Sequence, residues 1–419
     1  MAASALDLRT HRDFLKLWAG ETVSLFGSQV TLLALPLTAI LLLDASPLQM
    51  GLLRAASTLP FLLVGLAAGV WVDRARRRPI LIGADLGRAL LLAAIPVAAF
   101  AGLLRIELLY LVGFAVGLLT VFFDVAYLAY LPVLVHREQL VEGNAKLEIS
   151  RSVAQIGGPG LAGGLVQLMG AAAAVVFDAA SYLASAACLW GIRAEEPPPT
   201  TDGQRGIWAE LWEGLATIVE SPVLRSIAAC TALMNLFGSA AQAVFVLFLV
   251  RDLGIASGVT GLVMAALGPG ALVGALTAQR VAARFGVGRT LGASIVGSLV
   301  PALLIAGADG PPSVVLPILA LALFLQGLLG TVYNVTQVSL RQTLVPDRLQ
   351  GRMNATMRFV VWGTLPIGSL AGGALGEAVG LRPVLAVGVI GVALASLVVT
   401  RPPVRRIRGD ADDDADAAS

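Results

Sequence analysis

The sequence has very little of the residues that build disulfide scaffolds, metal sites and soluble domains. It contains two cysteines and two histidines in 419 residues, and only 13% of its residues are charged, against roughly 25% in a soluble globular chain. Cys188 and Cys230 lie inside apolar runs and indicate no disulfide framework. His11 and His136 lack the spaced partners of a metal site. We therefore expect no metal and no cofactor, and a chain surrounded mainly by lipid.

Lysine is equally scarce, and this bears on the energy source. Lys16 and Lys146 are the two lysines, and neither stands in the Gly-x-x-x-x-Gly-Lys-Ser/Thr pattern of a nucleotide-binding loop. No converging set of nucleophile, base and metal ligand is visible either, so we do not expect an enzyme. Any work that the chain performs should draw on an ion gradient or on downhill flow of its own substrate.

Long apolar runs dominate what is present. Hydrophobic residues make up 57% of the chain, and the mean hydropathy is +0.84. One helical span needs roughly 20 apolar residues, and the first run is too long for the core of a signal peptide. Twelve runs are long enough: about 15–43, 49–72, 79–101, 108–134, 147–169, 172–192, 223–250, 256–279, 288–308, 313–339, 355–378 and 382–400. They predict an all-α membrane protein with twelve transmembrane helices.

One long polar segment, Arg193 to Ser221, separates the sixth and seventh spans. It opens with three prolines, 197–199, and continues with an apolar helical stripe that includes Trp208 and Trp212. That stripe fits a helix on the cytoplasmic membrane surface or, equally well, a plain linker helix. We expect a six-helix half at 1–193, a linker with an amphipathic helix at 194–221, a second six-helix half at 222–400 and a disordered cytoplasmic tail at 401–419.

Basic residues set the predicted orientation. Of the 29 lysines and arginines, 23 fall in or beside the two termini and the loops after even-numbered spans, whereas the opposite loops hold only Arg105, Arg251 and Arg382. Positive charge is retained on the cytoplasmic side. We therefore expect a multi-pass protein of the cell membrane with both termini in the cytoplasm.

The two halves carry an internal repeat at an offset of 210 residues. Gly51-Leu52 recurs as Gly261-Leu262, and Asn144-Ala145 recurs as Asn354-Ala355. Further pairs are Arg74 with Arg284, Leu134-Val135 with Leu344-Val345, and Gly158 and Gly163 with Gly368 and Gly373. Two halves of like orientation are the parallel repeat of one large class of transporters.

The stretch GVWVDRARRR, from Gly69 to Arg78, follows the second span. Its spacing, Gly-x-x-x-Asp-Arg with further arginines, resembles the loop between the second and third helices of the major facilitator superfamily, with Arg76 standing where that pattern has glycine. SLFGSQVTLLALPL in span 1, LVHREQLVEGNA after span 4 and FDAASYLASA in span 6 are similar to the drug-export branch, which includes macrolide efflux proteins and the enterobactin exporter.

This resemblance implies two halves that rock about a site near the bilayer midplane, with the basic loop acting as a latch on the cytoplasmic side. The residues that it assigns to the gate or latch are Gly69, Asp73, Arg74, Arg77, Arg78, Asp124 and Arg284. Asp124 in span 4 would pair with an arginine of the loop.

Ionisable groups inside spans are costly and are functional hypotheses by default. The candidates for proton coupling are Asp124, Glu21, Asp85 and Arg88. Each has a structural alternative: Asp124 as part of the latch, Glu21 as a solvated residue at the membrane edge, and Asp85 with Arg88 as an ion pair three residues apart on one helix.

The resemblance also implies that spans 1, 4, 7 and 10 line the cavity. Polar stripes run along spans 7 and 10, although such stripes also join helices to each other. The candidate cavity residues are Ser28, Gln29, Tyr127, Asn235, Gln242, Gln326, Tyr333, Asn334 and Gln337.

These observations together predict a monomeric, proton-coupled antiporter that exports an amphipathic drug, macrolide or siderophore-like molecule. A uniporter or importer of a small metabolite on the same fold is the alternative. An integral-membrane enzyme or a scaffold would need a chemical constellation that the sequence lacks. The identity of the substrate cannot be read from the sequence.

Overall fold

The computed structural model describes residues 8, 10–194, 196 and 207–400. The predicted tail at 401–419 and most of the predicted linker therefore lie outside the described residues, and the proposed domain boundaries remain a prediction. Within the described part the secondary structure is helical, and it contains no β-strand.

The first half of the chain contains six long helices, and the second half contains the remaining ones, several of them in two pieces. The helices are α1 (Arg12–Leu43), α2 (Pro47–Asp73), α3 (Arg77–Phe100), α4 (Ile106–Leu134), α5 (Leu140–Met169), α6 (Ala171–Trp190), α7 (Ile207–Glu220), α8 (Pro222–Leu247), α9 (Ser257–Ala265), α10 (Leu267–Phe285), α11 (Val287–Gly297), α12 (Leu299–Ala306), α13 (Pro312–Leu344), α14 (Asp347–Trp362), α15 (Thr364–Val379) and α16 (Leu381–Val399). A 3₁₀ turn, Arg137–Gln139, precedes α5, and a π-helical turn, Phe248–Asp252, extends α8.

Eleven helical stretches in the described residues are long and apolar enough to cross a membrane, with α9–α10, α11–α12 and α14–α15 each forming one stretch. The remaining long helix is α5, which has 30 residues. Its first turns carry charged residues, and its last part, from Ser152 onward, is rich in glycine and contains Gln155 and Gln167. Glycine and glutamine lower hydropathy without shortening the helix, and α5 covers the predicted span at 147–169, while the count of twelve membrane spans remains a prediction.

The helices form two compact units. The first contains α1, α2 from Ala56 onward, α3 to α6 and Ser257–Gly261. In this unit α6 packs against both α1 and α3, and a buried apolar cluster that includes Phe14, Leu81 and Tyr130 joins the helices.

The second unit contains Ser46–Ala55, α7, α8, α10 to α16 and the connecting segments. Its central helix is α8, which packs against α15 and α16, while α10 packs against α13. α7 packs against α14 and α8, with Ile218 buried in the core and Trp212 exposed. The predicted stripe residues Trp208 and Leu211 lie outside the residues whose side chains are described.

Two close helix contacts are related by the sequence repeat. In the second unit, a Cβ on Gly51 would lie 2.7 Å from the Gly373 Cα, and the Leu48 N–H donates to Glu377 Oε2 at 3.2 Å. The carboxylate thus accepts a bond from an amide at the start of α2, where such N–H groups have no partner within their own helix.

In the first unit, the counterpart of this contact joins α9 to α5. A Cβ on Gly163 would lie 2.9 Å from the Gly261 Cα, and the Gly258 N–H donates to Gln167 Oε1 at 3.3 Å. Each of the residues in this contact stands 210 positions from its equivalent in the other contact. The offset found in the sequence therefore recurs in the packing.

Candidate functional site

A buried group of charges surrounds Arg88 in the first unit. The Arg88 side chain is 3% exposed, and its guanidinium carbon lies 4.2 Å from the centre of the Phe123 ring and 4.1 Å from that of the Tyr182 ring. Its Nη2 donates to Asp85 Oδ1 at 2.5 Å. The spacing of three residues places both charges on the same face of α3, and the guanidinium contacts both rings.

Three further carboxyl groups lie near this ion pair. Asp178 on α6 is 1% exposed, and its Oδ1 accepts a hydrogen bond from Ser181 Oγ at 3.2 Å. Glu21 on α1 is buried, and its Oε2 accepts no hydrogen bond from the described residues. Asp124 on α4 is half-buried and interacts electrostatically with both Glu21 and Arg88.

Among the described residues, the ion pair of Arg88 is with Asp85. A buried ionised carboxylate is expensive unless it is paired or hydrogen-bonded. Carboxyls with a strong cost of ionisation can bind and release a proton as their surroundings change. The arrangement is therefore chemically suited to proton exchange. In the described part of the chain, no three His, Cys, Asp or Glu side chains are grouped so that they could hold a metal ion.

The loop arginines have partners at the end of α6. Arg77 forms an ion pair with Glu196 at 3.4 Å. Arg78 donates to the backbone oxygen of Leu189 at 3.0 Å and to that of Trp190 at 2.5 Å. Both arginines thus hold the chain segment that leaves α6.

The other residues predicted for the latch are placed differently. The side chain of Asp73 lies outside the described residues, and Arg74 is exposed. Arg284 is also exposed and stacks over the Phe285 ring at 5.6 Å. A Cβ on Gly69 would have no described atom within 4 Å, so packing among those atoms does not require glycine there. Pairing of Asp124 with the loop remains a prediction.

Sequence reasoning missed Glu196, which caps α3. Its Oε1 accepts from the Arg77 N–H at 2.6 Å, and its Oε2 accepts from the Arg78 N–H at 3.3 Å. The residue at the start of α3, Arg76, provides no side-chain cap of its own, and a carboxylate is favoured at a helix N-terminus. The only sequence signal was an acid placed directly before the prolines at 197–199.

We expect Glu196→Ala to lower the free energy of unfolding by about 1–2 kcal/mol, because two helix amides and Arg77 lose their acceptor. Denaturant unfolding of the purified protein in detergent measures this. Glu107→Ala, which removes an exposed acid from the first turn of α4, serves as the control. Equal stability of the two variants would show that the Glu196 contacts are not stabilising.

A cavity of about 320 Å³ lies within the second unit, between α8 and its neighbours. Asn235, Gln242 and Gln326, all predicted as cavity residues, lie in its wall. The wall also contains Phe237, Gly238, Phe245, Pro301, Ile305, Gly330, Leu365 and Leu385. Among the described residues of the wall none is charged, so the space is mostly apolar with three amide side chains.

The amides in the wall are held in defined ways. Asn235 Nδ2 donates to the Val361 backbone oxygen at 3.1 Å, and the Gln242 side-chain oxygen accepts a hydrogen bond from Arg54 Nη2. Arg54 lies on α2 within Ser46–Ala55, the part of that helix that belongs to the second unit.

The remaining predicted cavity residues are not in this wall. Tyr333 is buried, and its OH is 2.8 Å from Thr231 Oγ1. Gln337 donates to the neighbouring Asn334 Oδ1 at 3.1 Å. A helix stripe shows which positions are polar, but it does not show whether a neighbouring helix covers them.

The candidates of the first unit also have protein partners. Ser28 Oγ lies 2.9 Å from the Tyr182 OH. Gln29 packs closely against Gly158, since a Cβ on that glycine would lie 2.6 Å from the Gln29 Cγ. Tyr127 is buried and stacks on Phe123 with ring centres 5.9 Å apart. Ser28 and Gln29 thus sit at contacts between helices, and Tyr127 belongs to the buried apolar cluster of the first unit.

Comparison with known proteins agrees with this architecture. A family model described as "Transmembrane secretion effector" matches residues 3–418. The multidrug efflux pump Tap of Mycolicibacterium fortuitum is 28% identical over 88% of this chain and 93% of its own length. The enterobactin exporter EntS of Citrobacter koseri is 28% identical over 83% of this chain and 81% of its own.

The fold is also found among solved structures. A bacterial homologue of the iron transporter ferroportin superposes with a TM-score of 0.75, covering 93% of this chain and 98% of that one at 18% identity. At that identity the likeness concerns the fold alone. The predicted major facilitator fold and the resemblance to its drug-export branch are confirmed.

Proposed function

Because the chain belongs to the transmembrane secretion effector family of the major facilitator superfamily, we propose that it exports an amphipathic small molecule in exchange for protons. It works by alternating access as a monomer in the cell membrane, with both termini in the cytoplasm. The multidrug efflux pump and the enterobactin exporter among its relatives support the direction of transport.

The cavity in the second unit is the observation that carries the proposal. Ligand sites are typically apolar spaces with a few well-placed polar groups, and this one combines aromatic and aliphatic walls with Asn235, Gln242 and Gln326. A sugar or a highly charged metabolite would leave most of its polar groups without partners against such walls. An amphipathic solute is the better match.

The charge group around Arg88 supports proton coupling. Glu21 is the acid that we assign to proton exchange, since it is buried and its Oε2 accepts no hydrogen bond from the described residues. The charged groups near it are Arg88 and Asp85 from α3, Asp124 from α4 and Arg151 from α5. A proton on Glu21 changes the balance of this group, and Asp124 relays the change along α4 towards the predicted latch.

Everted membrane vesicles with an acidified interior provide the test. We expect them to accumulate members of a panel of cationic, neutral and acidic amphipathic dyes, and to lose this accumulation when nigericin collapses the pH gradient. Glu21→Gln should remove the response to the pH gradient. The amide has the shape of the carboxyl group, but it does not bind and release a proton in the pH range of the experiment.

Glu107→Gln, which neutralises an exposed acid on α4, is the matched control and should keep the response. Accumulation that ignores nigericin in the unmodified protein would exclude antiport and favour a uniporter. Coupled export by Glu21→Gln would exclude the assignment of Glu21 alone.

A further inference from the structure

A positive charge contacts one of the amide side chains in the wall of the cavity in the second unit. The guanidinium of Arg54 donates a hydrogen bond to the side-chain oxygen of Gln242, and Gln242 is part of the cavity wall. The side chain of Gln242 therefore connects Arg54 to the cavity. Both residues belong to the same unit, since Ser46–Ala55 packs with α8 and α15.

The hydrogen bond from Arg54 fixes what Gln242 can offer to a ligand. An amide side chain has an oxygen that accepts and a nitrogen that donates two hydrogen bonds. Because the oxygen of Gln242 is turned towards Arg54, the nitrogen is turned away from the guanidinium and its N–H donors are available to a ligand. Arg54 is thus a positioning residue, and it makes this end of the cavity a hydrogen-bond donor.

The positive charge of Arg54 and the N–H donors of Gln242 both favour a negatively charged group on the ligand. An arginine stays protonated in proteins, and a charge near low-dielectric walls acts over several ångströms. The described residues of the wall bring no acid that would oppose it. Asn235 uses one of its two amide N–H donors on the Val361 backbone, and the charge of Arg54 lies at Gln242, so an anionic group is favoured most at the Gln242 end.

From this geometry we infer that the exported molecule carries an acidic group, such as a carboxylate or a phenolate, which binds at the Gln242 end of the cavity. The apolar body of the molecule then fills the space beside Phe237, Phe245 and Leu365. This inference rests on the proposed function, because it narrows the substrate from amphipathic molecules in general to amphipathic acids.

The experiment compares two probes that differ by one charge, dansylglycine and dansylglycinamide. Their binding to the full-length protein in detergent is followed by energy transfer from tryptophan to the dansyl group. We expect the unmodified protein to bind dansylglycine about tenfold more tightly, the factor that one additional charge-assisted hydrogen bond provides. Arg54→Gln should bring the two affinities within about twofold of each other.

Two further variants keep the result interpretable. Gln242→Glu places a carboxylate in the wall and should reverse the preference, even if Arg54→Gln fails to fold. Arg382→Gln removes an exposed arginine of the same unit that pairs with Asp309 at 2.9 Å, so it controls for the general loss of positive charge and should keep the preference.

The outcomes separate this inference from the proposed function. Equal binding of the two probes by the unmodified protein, or a preference that survives Arg54→Gln, would overturn the acidic-substrate inference and leave an exporter of neutral amphiphiles. Failure of the vesicles to export any member of the dye panel would instead count against the proposed function.

Discussion

Replacing Arg88 by methionine should lower the free energy of unfolding by about 3–5 kcal/mol, the usual cost of removing one partner from a buried ion pair. The loss arises because Asp85, which is 0% exposed, would be left without its cation and would have to stay charged at a high cost or take up a proton. Phe123 and Tyr182 would also lose the cation that contacts their rings. Denaturant unfolding in detergent, followed by circular dichroism, measures the change.

The double variant Arg88→Met with Asp85→Leu distinguishes pairing from packing. If the uncompensated carboxylate causes the loss, the double variant should recover most of the stability, because replacing a whole buried pair by apolar groups is often neutral. Asp85→Leu alone should be destabilising as well, since it leaves the guanidinium buried. A double variant as unstable as the sum of the two single ones would show that the two charges do not depend on each other.

Gly327→Ala should be the second strongly destabilising change, by about 3 kcal/mol, at the upper end of the range for overpacking. At this position α13 crosses α10 with the two backbones in contact: a Cβ on Gly327 would overlap the Leu267 backbone oxygen and lie 2.9 Å from the Ala271 N atom. A Cβ on Gly270 of α10 would overlap the Phe324 backbone oxygen in the same way. Backbone atoms cannot rotate aside, so the helices would have to separate.

The control for this prediction lies one turn further along α13. A Cβ on Gly330 would have no described atom within 4 Å, and alanine forms helices better than glycine by up to about 1 kcal/mol. Gly330→Ala should therefore be neutral or slightly stabilising in the same unfolding measurement. Equal destabilisation by the two alanines would mean that helix flexibility, and not the close contact, explains the glycine at 327.

Local spacing in the sequence predicted some of the contacts around the candidate site, while the roles of these residues remain predictions. Asp85 and Arg88, three residues apart on a helix, can reach each other wherever the helix lies, and the structure pairs them. Asn235, Gln242 and Gln326 were identified from stripes on two helices, and one cavity contains all three. A stripe could not show that Tyr333 would be covered and bonded to Thr231, because that depends on which neighbouring helix packs over it.

Contacts between distant residues were the part that the sequence did not predict. Glu196 follows α6, yet it accepts bonds from amides at the start of α3, more than a hundred residues earlier. Arg54 was assigned no role, because a single arginine near the end of a span is equally compatible with anchoring at the membrane surface. Its position behind Gln242 depends on how the first turns of α2 pack in the second unit.

The paired contacts at Glu377 and Gln167 have a consequence for how the two repeats respond to acid. The two helix starts share their glycine contacts and their spacing. A carboxylate and an amide have the same shape and accept the same bond, but only the carboxylate can be neutralised by acid. We therefore expect acidification to weaken the acceptor at the start of α2 and to leave the one at the start of α9 unchanged.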